Sequence, residues 1–442
     1  MLVIKPNRLF GVIVIIGLLL QSGCLVVENK YDKIAPGIWR GALTLEAGAP
    51  AVEADVLGEA IRTPEDEPVL MPFLFEVSYS EDHEMHIDIL NGEERIPVDR
   101  ILYGRDPATA QDTFVFYFDV MDSYLHGIIK ADIMDGEWVR ANRDNYRIPF
   151  VAHYGESSRF PPAVTPPSVD FTGRWDAQFA AETKKPYRAV GIFEQHGKSL
   201  TGTFLTETGD YRYLAGDVSG NTLRLSAFDG SHAFLFEGKM QPDSTILGTY
   251  WSGHRYKVLW NAQRNENAML SEPDSITVLN KGYETIDFTF PDADGKSVGL
   301  NDPAFSGHPK IVQILGTWCP NCRDETNFLV EYLKENPDLN LKVIGLAFES
   351  YSDDDKNRAI IKQYAEKLQV PYPILLAGHY DYDEIALKLP MLKKFIAFPT
   401  MIMLDKNNQV IRIHTGFSGP ATPDYKVFAT NFDHFIQDLT KS

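Results

Sequence analysis

Cysteine is scarce, at 3 of 442 residues. That excludes a disulfide-stapled scaffold, and it excludes a zinc ribbon, which needs four ligands where this chain has one Cys-x-x-Cys and no second pair. Half a metal site completed by distant histidines stays open. Positive charge is also short: 42 Lys and Arg face 61 Asp and Glu, for a net charge of -19. Such a surface repels phosphates, so nucleic acid is excluded as a partner, as is adhesion to anionic lipid through a basic patch. The apolar run Phe10 to Leu20 is too short for a comfortable transmembrane span. No Ser/His/Asp constellation and no phosphate-cradling loop stands out before Gln263. What the chain does have is 44% hydrophobic residues and 12% aromatics, enough for real cores with β-rich packing. Its length suits two to four domains.

Two of the three cysteines lie in Trp318-Cys319-Pro320-Asn321-Cys322, directly after the apolar run Ile311 to Leu315. A strand that delivers Cys-x-x-Cys onto the first turn of a helix suits thiol–disulfide exchange. Free N–H groups and the positive end of the helix dipole stabilise a thiolate there. Pro320 fits the first helical turn without losing a hydrogen bond. Cys319, at the helix start, is the expected exposed nucleophile, and Cys322, one turn on and partly covered, the resolving thiol. A purely structural disulfide at this spacing closes almost no loop and stabilises little.

The third cysteine ends a different pattern. Lys5 and Arg8, the apolar Phe10 to Leu20, and Gln21-Ser22-Gly23-Cys24 read as the basic, hydrophobic and small-residue parts of a signal peptide over 1–24. A cysteine just after the small residues resembles the bacterial lipoprotein box, which implies lipidation at Cys24 and attachment to a membrane by acyl chains. Gln21 departs from the usual Leu three residues before the cysteine. Plain secretion is the alternative.

Between these ends the chain reads as two β-rich units, 33–154 and 169–263. They are joined by a Pro-rich linker, 155–168, and followed by a polar one, 264–279. In the first unit, Trp39 to Leu43, Phe73 to Val77, Met85 to Ile89 and Phe114 to Phe118 alternate apolar and polar residues, with Asn91-Gly92 and Asp135-Gly136 as turn pairs. In the second, runs including Leu200 to Leu205, Tyr211 to Leu214 and Leu223 to Phe228 alternate with turns such as Thr208-Gly209-Asp210 and Asp229-Gly230. Both open alike, on Gly37-Ile38-Trp39 and Gly173-Arg174-Trp175, and each holds roughly eight strands, which suits a small barrel or sandwich. The opening tryptophans are expected to plug cores. His83 and His86 fall where a solvated hairpin is the better reading than a metal site.

From 280 onward the period changes to alternating strands and helices, which implies a mainly parallel sheet covered on both faces. Strands are expected at Lys310 to Leu315, Leu341 to Phe348, Tyr372 to Leu376, Thr400 to Leu404 and Val410 to His414. Helices are expected at Pro320 to Asn336, Asp353 to Leu368, Asp383 to Leu392 and Asp424 to Leu439. With Phe288, Phe290, Asp294-Gly295-Lys296, the Trp318 to Glu325 segment and Phe398-Pro399-Thr400, segment 280–442 resembles the TlpA/ResA-type thiol–disulfide oxidoreductases of the thioredoxin superfamily. The whole is therefore expected to be multidomain, with two β-rich barrel- or sandwich-like units followed by an α/β thioredoxin-like domain.

The resemblance implies roles. Pro399 becomes a cis-proline facing Cys319 and Cys322, where exposed backbone groups pair with an incoming chain. Trp318 shields the pair and offers a docking face. Glu325 relays a proton during resolution, or complements the helix N-terminus. Glu349 matches an acid near the thiols that raises a cysteine pKa. Gly316 stands where alanine is usual, and Phe398 is bulkier than the common residue before the proline. No cofactor and no metal is implied. The implied partners are a disulfide-containing protein substrate and a membrane electron donor, in a lipid-anchored protein facing the periplasm of a bacterial envelope. Two rival readings are a β-rich binding or scaffold lipoprotein with an ancillary redox domain, and a peroxiredoxin-like peroxidase. The latter would want a lone peroxidatic cysteine.

Overall fold

Gly37 and Gly173 open two sheets in the same way. Both take positive φ, 121° and 122°, where a side chain would strain, and both hand the chain to a strand whose alternate residues are buried. Trp39 and Trp175 are buried in their cores, as expected. The computed structural model describes residues 33–45, 68–162, 165–393, 395 and 397–441. The leader 1–24 and Cys24 lie outside the described residues. From Pro36 onward the described residues pack as one unit.

The first sheet holds β1 (Gly37–Leu45), β2 (Val69–Tyr79), β3 (Met85–Asn91), β4 (Glu94–Pro97), β5 (Arg100–Arg105), β6 (Asp112–Phe118), β7 (Ser123–Lys130), β8 (Ile133–Arg140) and β9 (Arg147–Tyr154). Its order is β4-β3-β2-β1-β9-β8-β7-β6-β5, antiparallel throughout, so its two edges are consecutive in the chain without pairing. It is a half-barrel. Asp135-Gly136 is not a turn but the middle of β8. Gly136 faces Gly127 across the ladder, and a Cβ there would lie 1.9 Å from the His126 carbonyl oxygen. His83 sits in the tight turn before β3 with φ 61°, so the hairpin reading holds.

The second sheet holds β10 (Gly173–Phe179), β11 (Tyr187–His196), β12 (Ser199–Thr206), β13 (Gly209–Asp210), β14 (Leu214–Ser219), β15 (Thr222–Phe228), β16 (Ala233–Met240), β17 (Thr245–Ser252) and β18 (Tyr256–Arg264). Pairing of β10 with β18 and of β11 with β12 closes it into a barrel. Phe179, Phe204, Phe236, Tyr250 and Trp260 fill the interior, with Phe236 and Tyr250 stacked at 4.4 Å. Residues 211–213, expected as strand, form none: Tyr211 packs on the barrel aromatics, and Arg212 turns away with φ 60°. The end of β15 locks the two units together. Phe228 packs on Phe73 at 4.5 Å and on Trp138 at 5.1 Å, and its backbone bonds the Asn91 amide in both directions.

Neither presumed linker lies free. Arg159 is buried and donates to Ser226 Oγ at 3.3 Å and to the Leu90 carbonyl. Asp274 binds Arg412 and His414. Low apolar content hid both anchors, because each is ionic or polar.

The remaining elements are β19 (Val278–Leu279), β20 (Thr289–Pro291), β21 (Ser297–Gly299), β22 (Lys310–Leu315), α1 (Pro320–Glu335), β23 (Lys342–Glu349), α2 (Asp354–Lys367), β24 (Ile374–His379), α3 (Tyr382–Lys388), β25 (Leu392–Lys393), β26 (Thr400–Leu404), β27 (Val410–Thr415) and α4 (Asp424–Lys441). The main sheet runs β24-β23-β22-β26-β27. Only β22–β23 and β23–β24 are parallel, and β26 and β27 join antiparallel, so the sheet is mixed rather than mainly parallel. The helix expected to reach Leu392 stops at Lys388, ahead of Pro390, and Leu392 pairs with Leu279 instead. Among the described residues no helix is long and apolar enough to cross a membrane.

Candidate active site

Every residue of β22 is buried, so the strand enters the core squarely and must turn at its end. The Trp318 ring lies directly over Gly316 in that turn: a Cβ there would sit 2.3 Å from the indole nitrogen. Cys319 is then the N-cap of α1, and its Sγ accepts the Cys322 N–H at 3.2 Å. Pro320 occupies the first turn, where its missing N–H costs nothing. Both cysteines are free thiols. The Cys319 thiol points at the Phe398 carbonyl oxygen, 3.7 Å away, and the Phe398–Pro399 peptide bond is cis.

Cys319 departs from expectation in one respect. It is only 6% exposed, and Cys322 is 0% exposed. The cause is the barrel. Ser231 Oγ donates to the Trp318 carbonyl at 3.2 Å, and the Asn321 amide donates to the Asp210 carbonyl at 3.3 Å. The half-barrel reaches the same neighbourhood through Asp122, which accepts from the Tyr351 hydroxyl. These contacts were invisible in sequence. Asp229-Gly230 and Gly209-Asp210 read there as turns, and nothing local shows what a turn will touch.

Two buried carboxyls flank the thiols. Glu325 is 0% exposed on the inner face of α1, with Oε2 accepting from the Gln313 amide at 3.0 Å and Oε1 without a protein partner. Burial pushes its pKa up to about 8, against a smaller lowering by Gln313. Glu349, at the end of β23, accepts from Thr317 N at 2.9 Å and Thr317 Oγ1 at 2.7 Å, and burial raises it to about 7. The Cys322 thiol is pushed well above its ordinary 9 by burial first, then by its hydrogen bond with Cys319 and their mutual charge, with Glu325 adding a smaller rise. Glu349 secures the turn leading into the pair.

Beneath the thiols, Gln313, Thr326, Tyr364 and Tyr372 complete a closed polar network, with Tyr364 donating to Thr326 Oγ1 at 2.9 Å and Tyr372 to Gln313 Oε1 at 3.1 Å. Above them, the Trp318 indole donates to the Phe348 carbonyl at 3.0 Å and packs on Tyr380 at 4.4 Å and on Phe398 at 5.3 Å. Phe398 is bulky because it sits at the hub of this aromatic face. Among the described residues no group of three or more His, Cys, Asp or Glu is placed to hold a metal.

Comparisons with known proteins point the same way. The Redoxin family model matches residues 281–427. The thiol-disulfide oxidoreductase ResA of Bacillus thuringiensis subsp. konkukian is 23% identical over 131 residues, 30% of this chain and 67% of that protein. A thioredoxin family thiol:disulfide interchange protein from Chlorobium tepidum is 19% identical in its crystal structure, covering 37% of this chain and 99% of that one at a TM-score of 0.28. StoA from Bacillus subtilis is 14% identical, covering 33% and 96% at a TM-score of 0.24. Residues 281–427 thus match the Redoxin model, and this part of the chain is similar to the ResA-type thiol–disulfide oxidoreductases.

Proposed function

We propose that this protein is a membrane-anchored thiol–disulfide oxidoreductase that reduces partner disulfides through Cys319 and Cys322. The observation that carries the reading is the helix start itself, where Cys319 caps α1 and Cys322 donates its N–H to the Cys319 sulfur at 3.2 Å. The two sulfurs are held together, one facing the Phe398 carbonyl and the other sealed behind it.

The steps follow. The Cys319 thiolate, at the α1 N-terminus, attacks one sulfur of a partner disulfide and forms a mixed disulfide, and the released partner thiolate takes up a proton. Cys322 must then lose its proton, which burial opposes. Glu325, with a pKa of about 8, is ionised in a minority of chains at neutral pH, and in those its unpaired Oε1 takes the Cys322 proton and later returns it to solvent. A group that is neutral at pH 7 does not complement a helix dipole, so proton relay is the better of its two roles. The Cys322 thiolate attacks Cys319 Sγ, the second partner thiol leaves, and two electrons have passed to the partner. A dithiol donor at the membrane restores the pair. Pro399 and Phe398 set the backbone edge that receives the partner, and Trp318 covers the sulfurs.

Reduction rather than oxidation is the direction this reading adopts. The similarity to the ResA-type oxidoreductases supports that direction. Lipidation at Cys24 supplies the anchor, and an envelope location suits a chain whose other cysteines form one redox pair. In the full chain, pre-reduced and mixed with a small disulfide such as oxidised glutathione, one Cys319–Cys322 disulfide per chain is expected by peptide mapping after thiol trapping. Persistence of both free thiols would refute the reading.

A further inference from the structure

The barrel does more at this site than stand beside it. Its hairpin Glu207–Arg212 leaves the β12 edge and lies against two walls of the thiol site at once. On one wall, the Asp210 carbonyl takes the Asn321 amide at 3.3 Å, inside the Cys-x-x-Cys itself. On the other, Asp210 Oδ2 takes the Gly419 N–H at 2.6 Å, and a Cβ on Gly416 would lie 2.9 Å from the Glu207 carbonyl oxygen. Gly416 N in turn bonds the Pro399 carbonyl at 2.9 Å, so the second wall is continuous with the proline beside Cys319. Gly209 fits only because it lacks a side chain, since a Cβ there would lie 2.1 Å from Asn321 Nδ2 and 3.0 Å from the Phe417 carbonyl oxygen.

A latch holds the hairpin down. Arg212 is buried, and its guanidinium reaches Asp324 Oδ2 on α1 at 2.5 Å, Glu94 on the half-barrel, and Asp229 of the barrel at 3.8 Å. One cation thus ties the hairpin to both other parts of the protein. Removing any single acid leaves it other partners. Beside the sulfurs, Trp318, Tyr380 and Phe398 form an aromatic face whose outer member, Tyr380, is 45% exposed.

We propose that the Glu207–Arg212 hairpin is the specificity-determining wall of this site: it fills the side where a protein disulfide would seat, so the latched chain exchanges with small disulfides entering over the aromatic face, and with a protein disulfide only after Arg212 releases Asp324. The inference rests on the redox reading and names the substrate class that the resting site admits. Nothing in the chemistry changes; the wall selects which disulfide reaches Cys319.

The test uses the reduced full chain and two reagents of the same chemistry, N-ethylmaleimide and a polyethylene-glycol maleimide, and compares their rates at Cys319 with those in the urea-unfolded chain. The ratio of bulky to small rate is expected to be suppressed by about tenfold or more in the folded protein. Asp324→Asn removes the tie to α1 while leaving Arg212 with Glu94 and Asp229, and Gly209→Ala forces the hairpin off Asn321. Each is expected to raise the bulky-reagent rate by about fivefold or more, with the small-reagent rate changed less than about twofold. Should Gly209→Ala fail to fold by circular dichroism, Asp324→Asn carries the test. A folded wild type that reacts with both reagents in the unfolded ratio would overturn the proposal, as would variants that leave the ratio unchanged. Alkylation reads the wall whether or not the thiols exchange, so failure of the redox reading shows separately, as no Cys319–Cys322 disulfide with oxidised glutathione.

Discussion

Cys319→Ser is expected to lower the rate of disulfide exchange by about a thousandfold or more with the fold left intact. The variant separates chemistry from architecture because serine is among the best N-caps. Its Oγ can take over the Cys322 N–H that Cys319 Sγ now accepts. Cys319→Ala loses the cap as well and is expected to cost about 1 kcal/mol more in stability. Cys322→Ser should give a different signature. Its nucleophile is intact, so the first half of exchange proceeds and halts, and one small-thiol adduct per chain accumulates at Cys319 in the intact mass. The asymmetry follows from burial, since Cys322 is sealed and its thiol is pushed well above 9 while Cys319 retains an edge to solvent. An adduct on Cys322 in the Cys319→Ser chain would reverse the assignment.

Glu325→Gln is expected to slow the resolving step by about a hundredfold near neutral pH and to flatten the dependence of stability on pH. In the rate, the deficit widens as pH rises towards about 8, because only then is the wild-type carboxylate largely ionised and able to take the Cys322 proton. In stability, the sign is set by the direction of the shift. Glu325 rises from 4.5 to about 8 on folding, so between those values the native state holds a proton that the unfolded chain has released. Stability contributed by the neutral acid is therefore complete below pH 4.5 and lost as pH climbs towards 8, by at most about 5 kcal/mol. Thermal melts across that window should show the wild type falling more steeply than Glu325→Gln. Glu349, raised from 4.5 to about 7, keeps a shallower slope in both chains. Parallel melting curves would contradict a buried neutral Glu325.

Much of this was legible in the sequence where the cause is local. Lys310–Leu315 and Thr400–Leu404 form strands at their expected bounds, because continuous apolar runs flanked by turn residues have few other fates. The start of α1 follows from Cys319, Pro320 and the run behind them. Trp39 and Trp175 are buried because a large apolar side chain on the first strand of a sheet has one favourable face. Apart from the helix that Pro390 cuts short, the failures are nonlocal. Tyr211 to Leu214 has strand-like alternation, yet Arg212 turns to Asp324, Glu94 and Asp229 and the strand is interrupted there. Asp135-Gly136 looks like a turn, but Gly136 is needed opposite Gly127 within the sheet. Strand direction in the main sheet depends on the partner of β26 rather than on its composition. The burial of Cys319 has the same origin, since Ser231 and Asp210 lie far from it in the chain.

The equilibrium reduction potential of the Cys319–Cys322 pair tests the central claim most directly. Thiol trapping and mass spectrometry of the full chain across dithiothreitol redox ratios would read it. A single two-electron transition at about -250 mV or lower, with both thiols lost together, is the predicted result. A transition near about -120 mV would make the protein an oxidant and contradict the account, and independent loss of the two thiols would contradict the pair itself.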